Sequence, residues 1–215
     1  MSHDYSNTDP SNTASTRPSG TRQTRCVLPG SSLTKGRLLV ATPPLDDPNF
    51  DRTVVYMLEH HDEGAIGVVI NRPSDESLGD PLNRWEDLQA APGSVFQGGP
   101  VETDALIALA FTKQPVTETN DELSPVSGRV ASADLTTDPA FVAGLVNSVR
   151  VFRGYAGWGP GQLEGEIEAG AWLVLDAEPD DVFTELPDEL WRIVLRRQGG
   201  RLAWLADAPD DLSAN

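Results

Sequence analysis

The sequence is poor in the features that most often reveal a protein's compartment or chemistry. Cys26 is the single cysteine among 215 residues, so no disulfide can form within the chain, and a reducing compartment, the cytoplasm, is predicted. No run of about 18 apolar residues is present, which predicts that the chain does not span a membrane. The first residues contain no continuous apolar segment, which argues against a secretory signal.

Basic residues are about half as frequent as acidic ones. The 16 lysines and arginines stand against 33 aspartates and glutamates, for a net charge of −17. Residues 1–34 contain three arginines and two aspartates, a net of +1, so the rest of the chain carries −18. This charge repels phosphates and predicts no direct binding to nucleic acid. Arg196, Arg197 and Arg201 form the one basic cluster of note, which we interpret as a solvated face or as ion-pair partners.

The familiar catalytic and metal-binding motifs are absent. There is no P-loop, the glycines at positions 154, 157, 159 and 161 do not fit the dinucleotide-binding spacing, and G-x-S-x-G, H-E-x-x-H and EF-hand patterns do not occur. One dense group of potential ligands, EHHDE, spans residues 59–63, but neighbouring residues of a strand point to opposite faces. We therefore predict a solvated loop with His60 hydrogen-bonded to its surroundings, and neither a metal nor a cofactor.

Composition divides the chain into three parts. Residues 1–34 are rich in Ser, Thr, Asn, Pro and Gly and contain little that could be buried, which predicts a disordered N-terminal tail. Residues 35–207 are predicted to form a single domain, which is followed by an acidic C-terminal tail over residues 208–215.

Apolar periodicity predicts strands and helices without regular alternation, which favours the α+β class over a doubly wound sheet. A β-hairpin is predicted from the strands 52–59 and 65–71, because the short connection between them contains Gly64. The polar residues 112–127 are predicted to form turns. The other predicted strands cover residues 36–41, 95–96, 105–111 (with a short buried helix as the alternative), 129–133, 149–155 and 171–175, and helices are predicted over 78–88, 139–149, 160–168 and 186–197.

Residues 153–168, RGYAGWGPGQLEGEIE, concentrate glycine and aromatic residues immediately before a predicted helix. One interpretation is structural: the glycines allow a tight turn, and Tyr155 and Trp158 anchor it to the core. The other interpretation is functional, with backbone amides at the start of the helix facing a ligand. The sequence alone leaves both interpretations open.

Four blocks of sequence, in this order, resemble the YqgE/AlgH family of bacterial proteins. They read GRLLVATP with DPNFDRTVVY (36–43 and 47–56), EH with GAIGVVINRP (59–60 and 64–73), FQGGPV (96–101) and GYAGWGPGQLE (154–164). The resemblance covers residues 36–207 and implies an α+β fold with a branched, mixed β-sheet, a small closed-barrel portion and surrounding helices. It implies no established enzymatic activity.

One branch of that family carries the label of transcriptional regulator. The present sequence has no helix-turn-helix signature, and its charge opposes contact with DNA. The resemblance therefore implies, at most, an indirect regulatory role that is exerted through a protein partner.

The glycine-rich loops and the polar residues beside them are predicted to line one cleft, with Arg72 as its cation. Glu164 and Glu166 would oppose an anion there, so a peptide or an amine remains open as the ligand. The predicted ligand-binding residues are Asp47, Asn49, Arg52, His60, Asn71, Arg72, Gly98, Gly99, Tyr155, Gly157, Trp158, Gly159 and Gln162.

Three functions remain as hypotheses. The preferred one is a non-enzymatic protein that binds a small molecule or a protein partner and has a regulatory role, which includes indirect control of transcription. The second is a hydrolase or transferase that uses the same cleft. The third is a protein–protein interaction module with an exposed apolar patch around Trp172, Trp191 or Trp204, although each of these tryptophans is itself predicted to lie in the core.

Overall fold

A computed structural model of the chain describes residues 34–43, 45 and 47–207. Most of the predicted N-terminal tail and the whole predicted C-terminal tail lie outside the described residues. The strands are β1 (Arg37–Ala41), β2 (Val54–His61), β3 (Gly64–Val69), β4 (Phe96–Gln97), β5 (Val101–Thr112), β6 (Leu123–Ser127), β7 (Val130–Ala133), β8 (Val146–Trp158) and β9 (Trp172–Asp176). The helices are α1 (Gln162–Glu168), α2 (Pro179–Val182), α3 (Leu190–Gln198) and α4 (Gly200–Leu205), with 3₁₀ helices at Leu82–Leu88, Pro139–Phe141 and Pro187–Glu189.

The strands form one curled sheet, a half-barrel, in the order β6-β7-β5-β8-β3-β2-β1-β9. Neighbours in this order are antiparallel, whereas β4 lies parallel to β8 and outside the main path. The sheet branches at β8, because β5 pairs with one edge of this long strand while β4 and β3 share the other. The predicted α+β class with a branched, mixed sheet is confirmed.

The central strands are buried on both faces. In β1, Leu38 and Val40 belong to the core that lies under α3, whereas Leu39 and Ala41 belong to the opposite core, which contains Leu163 of α1. A strand that is covered on both faces reads as a continuous apolar run, which is why β1 was readily predicted. A third cluster lies where Trp85 of the Leu82–Leu88 helix packs near β5 and β8.

The basic cluster of Arg196, Arg197 and Arg201 contributes ion pairs that attach the C-terminal helices. Arg197 makes two hydrogen bonds to the buried carboxylate of Asp181, at 2.8 and 2.7 Å. Arg196 pairs with Asp207 at 2.7 Å. The prediction of ion-pair partners is confirmed for these two arginines, whereas Arg201 is exposed.

The predicted helix over 139–149 is wrong. Only the short 3₁₀ turn Pro139–Phe141 forms, and β8 begins at Val146. Two residues of the predicted apolar face are not buried, since Phe141 is 69% exposed and Leu145 is 50% exposed, whereas Val149 is buried as part of β8. Pairing of β8 with β5 satisfies the backbone from residue 146 onward, and β-branched valines suit that pairing better than a helix.

Two other segments differ from their predictions. The turn-rich region 112–127 ends in the strand β6, which lies at one edge of the sheet. Pro125 is tolerated there because an edge strand can lack a backbone donor on its free side. The helix predicted over 78–88 is a 3₁₀ helix that covers only Leu82–Leu88. No helix in the described ranges is long and apolar enough to cross a bilayer.

Candidate functional site

Asn71 joins the ends of β2 and β3. Its Oδ1 accepts a hydrogen bond from the backbone N–H of Val54 at 2.8 Å, and its Nδ2 donates to the carbonyl of Arg52 at 2.9 Å. Arg52 itself has a left-handed φ of 50°, and its guanidinium lies 5.2 Å from the ring centre of Trp191. The Asn71 side chain thus fixes the start of β2, where the chain leaves an irregular loop.

Arg72 holds that same loop, which spans residues 47–52. Its guanidinium donates to the carbonyls of Asn49 at 2.7 Å and Asp51 at 3.2 Å. Burial lowers the pKa of Arg72, although the nearby Asp51 and Asp47 act in the opposite direction. Asp47 in turn accepts a hydrogen bond from the backbone N–H of Asn49 at 2.8 Å. The polar residues predicted for this region do converge, and they bond mainly to one another's backbone.

A cluster of three aromatic rings lies on the other side of the loop. Phe50 stacks on Trp158 with 6.4 Å between ring centres and meets the edge of Trp172 at 5.4 Å. Glu166 of α1 accepts hydrogen bonds from both indole N–H groups, at 2.9 Å from Trp158 and 2.8 Å from Trp172. Gln162 donates to the other oxygen of Glu166 at 2.9 Å. One carboxylate therefore fastens α1 to two core tryptophans.

Glu166→Ala is expected to reduce the free energy of unfolding by about 2 kcal/mol, because two partly buried indole donors lose their acceptor. Glu168→Ala on the same helix is the matched control, since Glu168 is exposed and its removal should cost less than about 0.5 kcal/mol. Urea unfolding followed by tryptophan fluorescence measures both values. Equal losses in the two variants would contradict the role given to Glu166.

His60 bridges three segments. Its Nδ1 lies 2.8 Å from Thr34 Oγ1, and its Nε2 lies 2.9 Å from Glu164 Oε1. A hydroxyl, an imidazole and a carboxylate in this order match the groups of a nucleophilic triad. Thr34 is only 6% exposed, however, so its hydroxyl is not presented to a substrate in this structure. The prediction that His60 is hydrogen-bonded to its surroundings is confirmed, and the bonds tie α1 to β2.

The two glycine-rich loops contact each other through their backbones. The N–H of Gly98 donates to the carbonyl of Arg153 at 2.8 Å, and the carbonyl of Gly98 accepts from Val69 at 2.8 Å. A Cβ added at Gly98 would stand 2.2 Å from the carbonyl oxygen of Gly154, and one at Gly99 would stand 2.2 Å from the carbonyl carbon of Tyr155. These glycines are needed for close packing of the chain on itself, which favours the structural interpretation of the glycine-rich stretch at this contact.

Other glycines of the stretch make looser contacts. Gly157 is exposed, and the ring of Tyr155 lies 3.4 Å from where its Cβ would be. Gly159 is also exposed, and its N–H donates to the side chain of Gln162 at 3.1 Å. The segment before α1 is therefore held by its own neighbours on one side and faces solvent on the other.

An open cavity of about 620 Å³ lies in a different part of the molecule. Apolar side chains form most of its wall, and Arg84 and Asp134 are its two charged residues. Arg84 donates to the carbonyls of Leu135 at 3.1 Å and Thr136 at 3.0 Å, so the 3₁₀ helix and the segment after β7 are joined across the cavity. The lining residues are Pro81, Leu82, Arg84, Leu106, Ala133, Asp134, Leu135 and Thr136.

Comparison with known proteins places the chain in a family. A family model described as AlgH-like (DUF179) matches residues 38–203. The chain belongs to the AlgH-like family. A UPF0301 protein of Streptomyces coelicolor is 51% identical over 187 residues, which are 86% of this chain and 96% of that protein. A UPF0301 protein of Mycobacteroides abscessus is 44% identical over 188 residues, 87% of this chain and 90% of that one.

Two solved structures share the AlgH-like fold. The crystal structure of a Corynebacterium diphtheriae protein superposes with a TM-score of 0.75 at 32% identity and covers 80% of this chain and 90% of its own. The solution structure of the AlgH protein from Pseudomonas aeruginosa gives a TM-score of 0.59 at 32% identity, over 86% of this chain and all of its own. The family suggested by the four sequence blocks is confirmed.

In this AlgH-like chain the predicted site residues and the cavity are separate. The structure brings the predicted loops together around the ends of β2, β3 and β8, but none of the predicted residues lines the cavity. The cavity draws its walls from three segments that are distant in sequence and that carry no motif. The one sequence signal was Arg84, a basic residue in a helix that was predicted without a function.

Of the three tryptophans that were considered for a protein interface, two are buried and one is exposed. Trp172 is 3% exposed and Trp191 is 2% exposed, so both belong to the core as predicted. Trp204 of α4 is 81% exposed, and its predicted place in the core is wrong. The short helix α4 turns this side chain away from Leu202 and Leu205, which pack against the core.

Proposed function

We propose that this AlgH-like chain is a non-enzymatic, cytoplasmic binding protein that holds a small ligand between the Leu82–Leu88 helix and the segment after β7. The observation that carries this proposal is the 620 Å³ cavity with apolar walls and two charged residues. Its volume falls within the range of small-molecule sites, and such sites combine an apolar lining with a few polar groups that fix the ligand's orientation.

The cavity is held open by bonds that exist without a ligand. Arg84 links the 3₁₀ helix to residues 135 and 136, and Asp134 caps the turn that follows β7 through Thr136. Leu106 of β5 contributes an apolar surface that is 39% exposed. A pre-formed site of this kind loses little ordering free energy when a ligand binds.

A regulatory role fits the surroundings of the cavity. The chain runs from the cavity segment into the turn Pro139–Phe141, where Phe141 is 69% exposed and Leu145 is 50% exposed. Exposed apolar side chains beside a ligand site offer a surface to a protein partner. The partner's binding can then depend on whether the ligand is bound. The net charge of −17 opposes nucleic acid as that partner, so any control of transcription would be indirect.

A thermal-shift screen of the full chain tests the proposal, with metabolites, nucleotides, divalent metals and short peptides as candidates. Ala133→Trp places a large ring in the cavity and is expected to abolish the stabilisation by any ligand that binds there. Ala140→Trp is the matched control, because Ala140 is exposed and does not line the cavity. Stabilisation that survives in Ala133→Trp, or no stabilisation by any candidate, would overturn the proposal.

The loop residues predicted from the sequence remain a second candidate location for the same function. Five of the polar ones, Asp47, Asn49, Arg52, Asn71 and Arg72, meet around one loop. Arg72→Ala in the same screen separates the two locations. Stabilisation that disappears in Arg72→Ala and persists in Ala133→Trp would assign the ligand to the loops.

A further inference from the structure

The cavity contains a cation whose bonding capacity is only partly used. Both hydrogen bonds of Arg84 to the carbonyls of Leu135 and Thr136 come from Nη2. Nη1 and Nε therefore remain as donors, and no carboxylate among the described residues lies within ion-pair distance of this guanidinium. Nη1 and Nε share no edge of the guanidinium, so either one can donate a single charge-assisted hydrogen bond to a carboxylate.

The same cavity contains the carboxylate of Asp134, whose capacity for hydrogen bonds is also only partly used. Asp134 Oδ1 accepts both hydrogen bonds from Thr136, from its backbone N–H at 2.8 Å and from its hydroxyl at 2.7 Å. These two bonds lower the pKa of Asp134, so the carboxylate is ionised at neutral pH. Oδ2 is left as an acceptor, and an ammonium group is one cation that can donate a hydrogen bond to it.

Arg84 and Asp134 do not neutralise each other. Across the part of the chain that the structure describes, no ion pair joins them, although both line one cavity. The remaining wall consists of Thr136 and five apolar residues, Pro81, Leu82, Leu106, Ala133 and Leu135. The cavity thus presents one positive group, one negative group and apolar surface.

We infer that the ligand is a short peptide of two or three apolar residues with free termini, with its carboxylate on Arg84, its ammonium group on Asp134 and its side chains against the leucines. The inference rests on the proposed function, because it names the ligand class of the same cavity. A peptide of this length suits a volume in the range of drug-sized ligands. A nucleotide fits poorly, since several phosphates would meet a single guanidinium and the carboxylate of Asp134.

Trileucine is the probe, and isothermal titration of the full chain is the measurement. Because both charged groups are exposed, each terminal contact is expected to contribute about fivefold in affinity. N-acetylation of the peptide should therefore weaken binding about fivefold in the wild type and have no effect in Asp134→Asn. C-terminal amidation should weaken binding about fivefold in the wild type and have no effect in Arg84→Gln.

The controls separate charge recognition from folding. Arg84→Lys keeps the positive charge and should retain most of the affinity that Arg84→Gln loses. Arg201→Gln and Glu185→Gln remove exposed charges elsewhere and should leave binding unchanged, with the thermal midpoint of every variant recorded.

Two results would overturn the inference and are distinguishable from failure of the proposed function. If capped and free trileucine bind equally well, and Ala133→Trp abolishes both, the cavity binds ligands but does not read the termini. If free trileucine does not bind, while an apolar dye binds the wild type and does not bind Ala133→Trp, the proposed ligand class is wrong but the cavity is still a binding site. Failure of the proposed function is a different result, in which Ala133→Trp changes the binding of no compound.

Discussion

Gly99→Ala is expected to reduce the free energy of unfolding by about 3 kcal/mol or more, enough to remove much of the stability of a typical domain. The added Cβ would stand 2.2 Å from the carbonyl carbon of Tyr155, 2.3 Å from its oxygen and 2.5 Å from the next backbone nitrogen. All three are backbone atoms of β8, which cannot move without disturbing the branch point of the sheet. The φ of 153° at Gly99 adds strain for any residue that carries a Cβ.

Gly144→Ala is the matched control for this prediction. A Cβ at Gly144 meets nothing within 4 Å, so we expect a change within about 0.5 kcal/mol. Urea unfolding of both variants gives the two free energies. Similar values would show that the contact between the Gly98–Gly99 loop and β8 yields easily, contrary to the packing described above.

Arg150→Met is expected to reduce the free energy of unfolding by about 3 kcal/mol or more. Arg150 is 1% exposed, and its guanidinium donates to the carbonyls of Ala91, Val182 and Thr184. It also lies 4.2 Å from the ring centre of Phe96. Methionine fills much of the space but donates no hydrogen bond, so three carbonyls lose their partner together.

This buried cation differs from a buried ion pair. Burial lowers the pKa of Arg150 to about 10, so the side chain stays charged at neutral pH. Its acceptors are backbone carbonyls, which no compensating substitution can remove. Arg150 therefore connects β8, the loop before β4, and the end of α2 with the segment that follows it, by a single side chain.

Arg153→Met on the same strand is the control for Arg150→Met. Arg153 pairs with Glu76 at 2.9 Å in a solvent-exposed position, and such pairs contribute about 1 kcal/mol or less. Chemical unfolding should therefore separate the two variants by about 2 kcal/mol. If they lose the same stability, the three carbonyls near Arg150 are satisfied by water and its structural role is overstated.

Much of the strand arrangement could be predicted from the sequence because its signals are local. The continuous apolar run of β1 and the hairpin of β2 and β3, with its short glycine-containing connection, follow from neighbouring residues alone. The four blocks that resemble the family added the branched sheet, which no local pattern could supply.

The wrong predictions arose where tertiary contacts outweigh local spacing. Phe141, Leu145 and Val149 recur at helical intervals, yet the chain from residue 146 onward pairs as β8 with β5. Trp204 is large and apolar, and nothing in its neighbourhood shows that α4 turns it into solvent. Residue type sets a preference for burial, whereas the surrounding elements decide it.

The candidate site likewise has a part that could be predicted from the sequence and a part that could not. Arg72, Asn71 and the loop from Asp47 to Arg52 were predicted to lie beside one cleft, and hydrogen bonds do join them, whereas their binding of a ligand stays a prediction. The cavity could not be predicted, since Arg84, Leu106 and Asp134 are brought together only by the folded sheet. A binding site that is assembled from unremarkable residues has no signature in the sequence.

The most direct test of the account is a map of amide chemical shifts in the full chain during titration with trileucine. If the account is correct, the largest changes fall on Arg84, Leu106, Ala133, Asp134 and Leu135, around the cavity. Changes that fall instead on residues 47–52, 71–72 and 98–99 would contradict it and would place the ligand at the glycine-rich loops.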